Sequence, residues 1–193
     1  MKFYGPILSS YDISEKTNIG LELYKVACLP SVNLFLEVGT QVGGSARCIA
    51  TGLLQTGGHL HTIEAIKSRV EEAKKNLDGL PVTCHWSSTG SVDGLRKYYN
   101  RYIKEIEEEN SLLEMLLNKN NFDAVFLDSC VETQQKELEL CVEKGIKHIL
   151  MHEPDAKCPL YTDFMSGKGY KLIDSGRDII NQHNPLWVRF ENE

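Results

Sequence analysis

Apolar runs alternate with segments of helical periodicity along most of the chain. The first run, 32–38, is continuously apolar at its centre, which is typical of a strand that is covered on both faces. The pattern predicts further strands at 59–63, 81–86, 122–127, 146–151, 170–174 and 186–190. It predicts helices at 14–29, 46–54, 68–77 and 132–144, and a mostly helical stretch at 91–117.

Strands that alternate with helices imply right-handed crossovers between parallel strands. We therefore predict an α/β protein with a Rossmann-like sheet, mostly parallel with a C-terminal antiparallel strand, and helices on both faces. The chain shows no repeat, linker or low-complexity tract, so we expect 1–193 to form a single domain, in which 1–30 are a helical N-terminal extension.

The composition is that of an ordinary globular protein, with 41% hydrophobic and 25% charged residues. A net charge of -6 argues against a large nucleic acid-binding surface. No apolar run approaches the roughly 18 residues that cross a membrane, and the first residues do not resemble a signal peptide, so we expect no membrane partner and a cytoplasmic location. The six cysteines show no CxxC spacing and are expected to be reduced. The sequence leaves open whether the protein forms a homo-oligomer.

In an open α/β sheet, ligands bind outside the carboxyl ends of the strands. The residues that end the predicted strands are mostly polar or acidic: Glu37, Glu64, Ser88, Thr89, Asp128, His152 and Glu153. Because these ends meet at one edge of the sheet, we expect their side chains to line a ligand site.

A turn with several glycines, 39–45, follows the first strand and lets a ligand approach the backbone closely. Gln41 stands where a G-x-G-x-x-G motif has its second glycine, which disfavours a nicotinamide dinucleotide. Glu64 follows the turn at about the distance at which an acid grips ribose hydroxyls.

The segment Glu37-Val38-Gly39-Thr40-Gln41-Val42-Gly43-Gly44-Ser45 resembles the first motif of class I S-adenosylmethionine-dependent methyltransferases. The form Leu36-Glu37-Val38-Gly39-Thr40 followed by Gly44-Ser45 is most similar to that of small-molecule O-methyltransferases of the catechol type. The segment 122–128 resembles the fourth-strand motif of that family. The likeness covers about 32–153 and is more specific for the cofactor, S-adenosylmethionine, than for the acceptor.

The resemblance implies that Gly39 and Gly43 let the loop pass the methionine part of the cofactor, with Ser45 nearby. It implies that Glu64 binds the ribose and that Asp128 faces the sulfonium and the acceptor. The full set of implied cofactor-binding residues is Glu37, Gly39, Thr40, Gly43, Ser45, Glu64, Ser88, Thr89 and Asp128.

Catechol-type enzymes hold a divalent cation with an acid that ends the fourth strand and an Asp-Asn pair that ends the fifth. Asp128 matches the acid, and His152 and Glu153 stand in place of the pair. These three residues are therefore the candidate metal ligands. Oxygen and imidazole ligands together suit Mn²⁺ better than Mg²⁺, which prefers oxygen ligands alone. The catalytic lysine of the family is Val131 here.

Three interpretations of His152 remain open. It could be a metal ligand, a structural histidine, or the general base that takes a proton from an acceptor hydroxyl. The candidate catalytic residues are therefore His152 and Asp128.

The function predicted from these features is S-adenosylmethionine-dependent methyl transfer to a small-molecule acceptor, at oxygen. One alternative is an enzyme like the cephalosporin hydroxylases, with the same fold. Another is a protein that binds S-adenosylmethionine without catalysis. Nicotinamide-dependent oxidoreduction is disfavoured by Gln41.

Overall fold

A computed structural model describes residues 13–90, 100–106, 112–177 and 186–192. The strands are β1 (Leu34–Val38), β2 (His59–Glu64), β3 (Val82–Trp86), β4 (Ala124–Leu127), β5 (His148–His152), β6 (Lys171–Arg177) and β7 (Leu186–Glu191). The α-helices are α1 (Asn18–Ala27), α2 (Gly44–Thr56), α3 (Lys67–Asn76), α4 (Leu112–Lys119), α5 (Gln134–Glu143), α6 (Pro154–Lys157) and α7 (Tyr161–Gly167), and Asn100–Glu105 form a 3₁₀ helix.

The strands form one sheet in the order β3-β2-β1-β4-β5-β7-β6. The five strands from β3 to β5 run parallel, and β7 pairs antiparallel with both β5 and β6. This arrangement confirms the predicted Rossmann-like fold with an antiparallel C-terminal end. The strand order reverses between β1 and β4, and a ligand crevice is expected at that point.

The structure adds detail to two helical predictions. Within the stretch 91–117, which is predicted to be mostly helical, 100–105 form a 3₁₀ helix and α4 begins at Leu112; 91–99 and 107–111 lie outside the described residues. The first helix begins at Asn18 rather than at residue 14, because the Thr17 side chain caps it by accepting a hydrogen bond from the backbone N–H of Gly20 at 3.1 Å.

Both faces of the central strands are covered, as the continuously apolar runs predict. All four residues of β4 are buried. Ala124 and Phe126 pack into the layer formed with α1 and α2, whereas Val125 and Leu127 pack into the layer formed with α4 and α5. The central strands therefore have a core on each side, whereas β6, at one edge of the sheet, is exposed.

The helix α1 is part of the core rather than an appendage, because Ile19, Leu23 and Val26 are fully buried. It approaches α2 closely at Gly52, where an added Cβ atom would lie 2.6 Å from the Ala27 Cβ and 2.8 Å from the Tyr24 carbonyl oxygen. Only a residue without a side chain fits between the two helices at this position.

The cysteines Cys28, Cys48, Cys84, Cys130, Cys141 and Cys158 are all free thiols, as expected. No helix among the described residues is long and apolar enough to cross a membrane.

The contact at Gly52 gives a test of the packing of α1. We expect Gly52→Ala to lower the free energy of unfolding by about 1–3 kcal/mol, because the methyl group forces α1 and α2 apart. Gly167→Ala is the matched control, because an added Cβ there meets no atom within 4 Å. Urea unfolding measures both variants, and equal stability of the two would contradict the close packing.

Candidate active site

The turn after β1 lies directly against the end of β4. Gly39 has a φ of 101°, in the region that favours glycine, and an added Cβ atom would overlap the carbonyl oxygen of Asp128. The Gly39 N–H donates to the Ile63 carbonyl of β2 at 2.9 Å. The turn therefore lies between the ends of β2 and β4 with its backbone, rather than a side chain, facing the crevice.

Glu64 holds this turn to the end of β2. Its Oε2 accepts from the backbone N–H of Gln41 at 2.8 Å, and its Oε1 accepts from the N–H of Ile66 at 3.0 Å. Gln41 has a φ of 46°, so the carboxylate stabilises a backbone shape that non-glycine residues rarely adopt. Burial raises the pKa of Glu64 above its ordinary value, although these two hydrogen bonds act the other way.

Two cavities open at the carboxyl ends of the strands. The first is lined by residues at and after the ends of β1, β2, β3 and β4 and at the starts of the two following helices, namely Val38, Gly39, Gln41, Ile63, Glu64, Ala65, Arg69, Ser87, Thr89, Asp128, Ser129, Cys130 and Thr133. The second is lined by Ile13, Gly39, Thr40, Gln41, Val42, Gly44, Ser45, Asp128 and His152. Both cavities have Gly39, Gln41 and Asp128 in their walls, so Asp128 lies at their junction.

The structure brings most of the predicted site residues to these cavities. Gly39, Thr40, Ser45, Glu64, Thr89, Asp128 and His152 line one or both of them. Gly43 is the N-cap of α2, with a φ of 98°. Ser88 and Glu37 are buried behind the walls rather than lining them, and Glu153 lies outside both.

Glu37 is fully buried beneath the turn. It accepts a hydrogen bond from the Thr62 hydroxyl, and Thr62 in turn pairs with Thr40. Its Oε1 is buried and has no hydrogen-bond partner among the residues that the structure describes. Burial raises the pKa of Glu37 to about 7, despite hydrogen bonds from the side chains of Ser45 and Thr62. A positive charge bound above the turn would favour its ionised form.

Asp128 is the centre of a small charged cluster. Its Oδ1 accepts from Nδ1 of His152 at 3.0 Å and from Nζ of Lys157 at 2.7 Å. Lys157 also contacts Oε2 of Glu153 at 3.3 Å. Burial alone would raise the pKa of Asp128, but His152 and Lys157 hold it below its ordinary value, so the carboxylate stays ionised.

His152 and Lys157 respond to the same carboxylate. Burial alone would lower the pKa of each, but Asp128 raises both above their ordinary values. Because an ionised carboxylate only accepts, Nδ1 of His152 must carry the hydrogen, and Nε2 is the imidazole nitrogen left for a ligand.

The three candidate metal ligands do not form a metal-binding arrangement. Within the described part of the chain, no group of three or more His, Cys, Asp or Glu side chains could hold a metal ion. Asp128 is engaged by His152 and Lys157, and Glu153 is turned towards Lys157. These residues as arranged do not fit a divalent cation.

A buried glutamate, Glu137 of α5, supports the first cavity from behind. Its carboxylate accepts hydrogen bonds from the hydroxyls of Thr89 and Ser129, which line the cavity on the β3 and β4 sides. From the same helix, the Gln134 side chain donates to the carbonyl of His152 at 3.3 Å. The helix α5 thus connects three of the strand ends that form the site.

Sequence reasoning missed Glu137, Lys157 and Arg69. Glu137 lies in a helix with many charged residues, a pattern typical of a solvated face. Lys157 follows the fifth strand by five residues, at a position that no motif marks. A possible signal for Lys157 was its spacing of four residues from Glu153, which places the two on one face of a helix.

The fold occurs in solved structures of O-methyltransferases. An O-methyltransferase from Bacillus cereus, in complex with S-adenosylhomocysteine, has a TM-score of 0.71 and 14% identity over 96% of this chain and 84% of its own. The O-methyltransferase TomG from Streptomyces achromogenes, in complex with S-adenosylmethionine, has a TM-score of 0.67 and 16% identity over 95% and 83%. The methyltransferase PaMTH1 from Podospora anserina, bound to S-adenosylhomocysteine, has a TM-score of 0.58 and 13% identity over 90% and 77%.

The sequence itself matches no protein-family model and no curated protein. The structural likeness shows that the chain has the Rossmann-like fold of these methyltransferases.

The contacts of Glu137 predict a stability effect. We expect Glu137→Ala to lower the free energy of unfolding by about 1–3 kcal/mol, because it leaves the Thr89 and Ser129 hydroxyls without their buried acceptor. Glu143→Ala, at an exposed position of the same helix, is the control and should be close to neutral. Urea unfolding compares the two, and a Glu137 variant as stable as the control would exclude this supporting role.

Proposed function

We propose that the protein is an S-adenosylmethionine-dependent methyltransferase that acts on an oxygen atom of a small-molecule acceptor. The observation that carries the proposal is the position of Asp128 at the junction of two cavities, one beside Glu64 and the other beside His152. A cofactor in the first cavity and an acceptor in the second would meet at this junction. A cytoplasmic location is part of the same proposal.

The first cavity has the features that the cofactor needs. After accepting two backbone hydrogen bonds, the Glu64 carboxylate keeps lone pairs for ribose hydroxyls. The bare backbone at Gly39 allows close approach of the methionine part. The N-terminus of α2, at Gly44 and Ser45, favours a carboxylate such as that of the methionine part. The structural neighbours named above with S-adenosylmethionine or S-adenosylhomocysteine bound support this assignment.

The charges of the site also suit this cofactor. Glu64 and Asp128 line the first cavity, and Glu37 is buried behind it. S-adenosylmethionine carries a sulfonium and an ammonium group, and a nearby cation favours the ionised form of a buried carboxyl. Binding would therefore stabilise the charge of Glu37, whose pKa is about 7 without it.

When bound, S-adenosylmethionine supplies the methyl group together with a good leaving group, so the protein has mainly to align the acceptor oxygen. Asp128 orients His152 through Nδ1 and leaves Nε2 for the second cavity. His152 would take the proton from the acceptor hydroxyl as the methyl group is transferred. The positive charge of the cofactor opposes protonation of His152, which favours the neutral imidazole that a base requires.

The role of Glu64 can be tested by calorimetric titration with S-adenosylhomocysteine. We expect binding in the micromolar range for the wild type and affinity at least roughly tenfold weaker for Glu64→Ala, because a charge-assisted acceptor for the ribose is lost. Glu64→Gln keeps the size of the side chain and should lie between the two. Glu72→Ala, on the exposed side of α3, is the control. An unchanged dissociation constant in both Glu64 variants would remove the ribose assignment.

A second test addresses His152. We expect His152→Gln to lower the rate of methyl transfer about 10²–10⁴-fold, because the general base is lost, while S-adenosylhomocysteine still binds. The assay measures formation of S-adenosylhomocysteine with the acceptor found in a screen of small hydroxyl compounds. His59→Gln, at the far end of β2, is the control. If no acceptor gives turnover although the cofactor binds, the non-catalytic alternative replaces the enzyme.

A further inference from the structure

The Asp128 carboxylate has a second partner that the proposed mechanism does not use. Lys157 Nζ lies 2.7 Å from Oδ1 of Asp128, closer than Nδ1 of His152 at 3.0 Å. The Lys157 side chain is only 12% exposed, and that of Asp128 only 16%. An ammonium group this enclosed must be well paired, because burying an unpaired charge is costly.

The pairing of Lys157 accounts for two of the three side chains that the sequence marks as metal ligands. Its ammonium contacts Asp128 and also Oε2 of Glu153, at 3.3 Å. The third side chain, His152, points Nδ1 at the same oxygen of Asp128. The ammonium thus lies between the acid that ends β4 and the acid that follows β5.

The local backbone keeps Lys157 in this position. Glu153 is the N-cap of α6, with a φ of 53°, and Lys157 is the last residue of this one-turn helix. The Lys157 N–H donates to the Glu153 carbonyl at 3.1 Å, so the two side chains lie on one face. The short helix therefore directs the lysine back over the strand ends.

We propose that the Lys157 ammonium is a built-in cation that takes the place of a divalent metal ion on Asp128. A metal ion could bind Asp128 and Glu153 only by displacing this ammonium or by lying beside it. To displace the ammonium, a metal ion would have to compete with it for the Asp128 carboxylate. If the metal ion instead lay beside the ammonium, two positive charges would be only a few ångströms apart. The site is therefore closed to Mg²⁺ and Mn²⁺ while Lys157 is present.

Within the proposed function, a site that is closed to metal ions also affects which acceptors the protein can use. A metal ion held by Asp128 and Glu153 would supply Lewis-acid stabilisation of the acceptor oxygens. With the site closed to a metal ion, His152 is the group left to bind the acceptor at the second cavity, so a lone hydroxyl is sufficient and a vicinal diol is not required. Lys157 acts through Asp128, whose position it fixes, and is a positioning residue rather than a catalytic one.

The inference can be tested by titrating the chelator-treated protein with Mn²⁺ and measuring free Mn²⁺ by electron paramagnetic resonance. The wild type should bind no stoichiometric Mn²⁺. Lys157→Met removes the charge but keeps the length of the side chain, and we expect its affinity for Mn²⁺ to rise at least tenfold. Lys157→Arg keeps a cation in place and should behave as the wild type does.

Matched variants identify the site of any bound metal. Asp128→Asn combined with Lys157→Met should lose the gained affinity, and Lys168→Met, an exposed lysine at the end of α7, should not gain any. Lys157→Gln serves as a second neutral variant should Lys157→Met fail to fold, as checked by thermal unfolding.

Two results would overturn the inference. One is stoichiometric Mn²⁺ binding by the wild type that Asp128→Asn abolishes. The other is a folded neutral variant at Lys157 with no more affinity for Mn²⁺ than Lys168→Met has. Neither result depends on turnover, so failure of the proposed function, seen as absent S-adenosylhomocysteine binding, is a separate outcome.

Discussion

The parallel pairing of β1 with both β2 and β4 determines where every part of the candidate site lies. The chain leaves β1 between two strands whose continuations pass to opposite faces of the sheet, so the ends of the three strands enclose a crevice. The turn can enter that crevice only because Gly39 has no side chain to meet the Asp128 carbonyl. The junction of the two cavities at Asp128 follows from this contact.

Sequence patterns predicted the parts of the structure that depend on local order. The alternation of apolar strands and helices predicted the mostly parallel sheet, and the polar residues at strand ends predicted the cavity positions of Glu64, Asp128 and His152. Over 91–117 the pattern indicated helix, but it did not distinguish an α-helix from the 3₁₀ helix at 100–105.

The partners that sequence reasoning missed are distant along the chain. Glu137 binds a hydroxyl 48 residues away, and Lys157 pairs with an acid 29 residues away. A charged residue in a helix is expected to be exposed to solvent unless a buried partner is known. The partners of Glu137 and Lys157 become visible only when α5 and α6 are packed over the strand ends. For the same reason, the sequence could not show that a lysine pairs with Asp128, which it marks as a metal ligand.

One oxygen atom of Asp128 connects the two proposals. Oδ1 of Asp128 accepts hydrogen bonds from both His152 and Lys157. The Lys157 ammonium partly neutralises the carboxylate and therefore weakens its attraction for the His152 imidazolium. A carboxylate paired with His152 alone would hold the imidazole in its protonated form more strongly, which is the wrong form for a base. Within the proposed function, the lysine that closes the site to a metal ion therefore also keeps His152 closer to the neutral state that proton transfer requires.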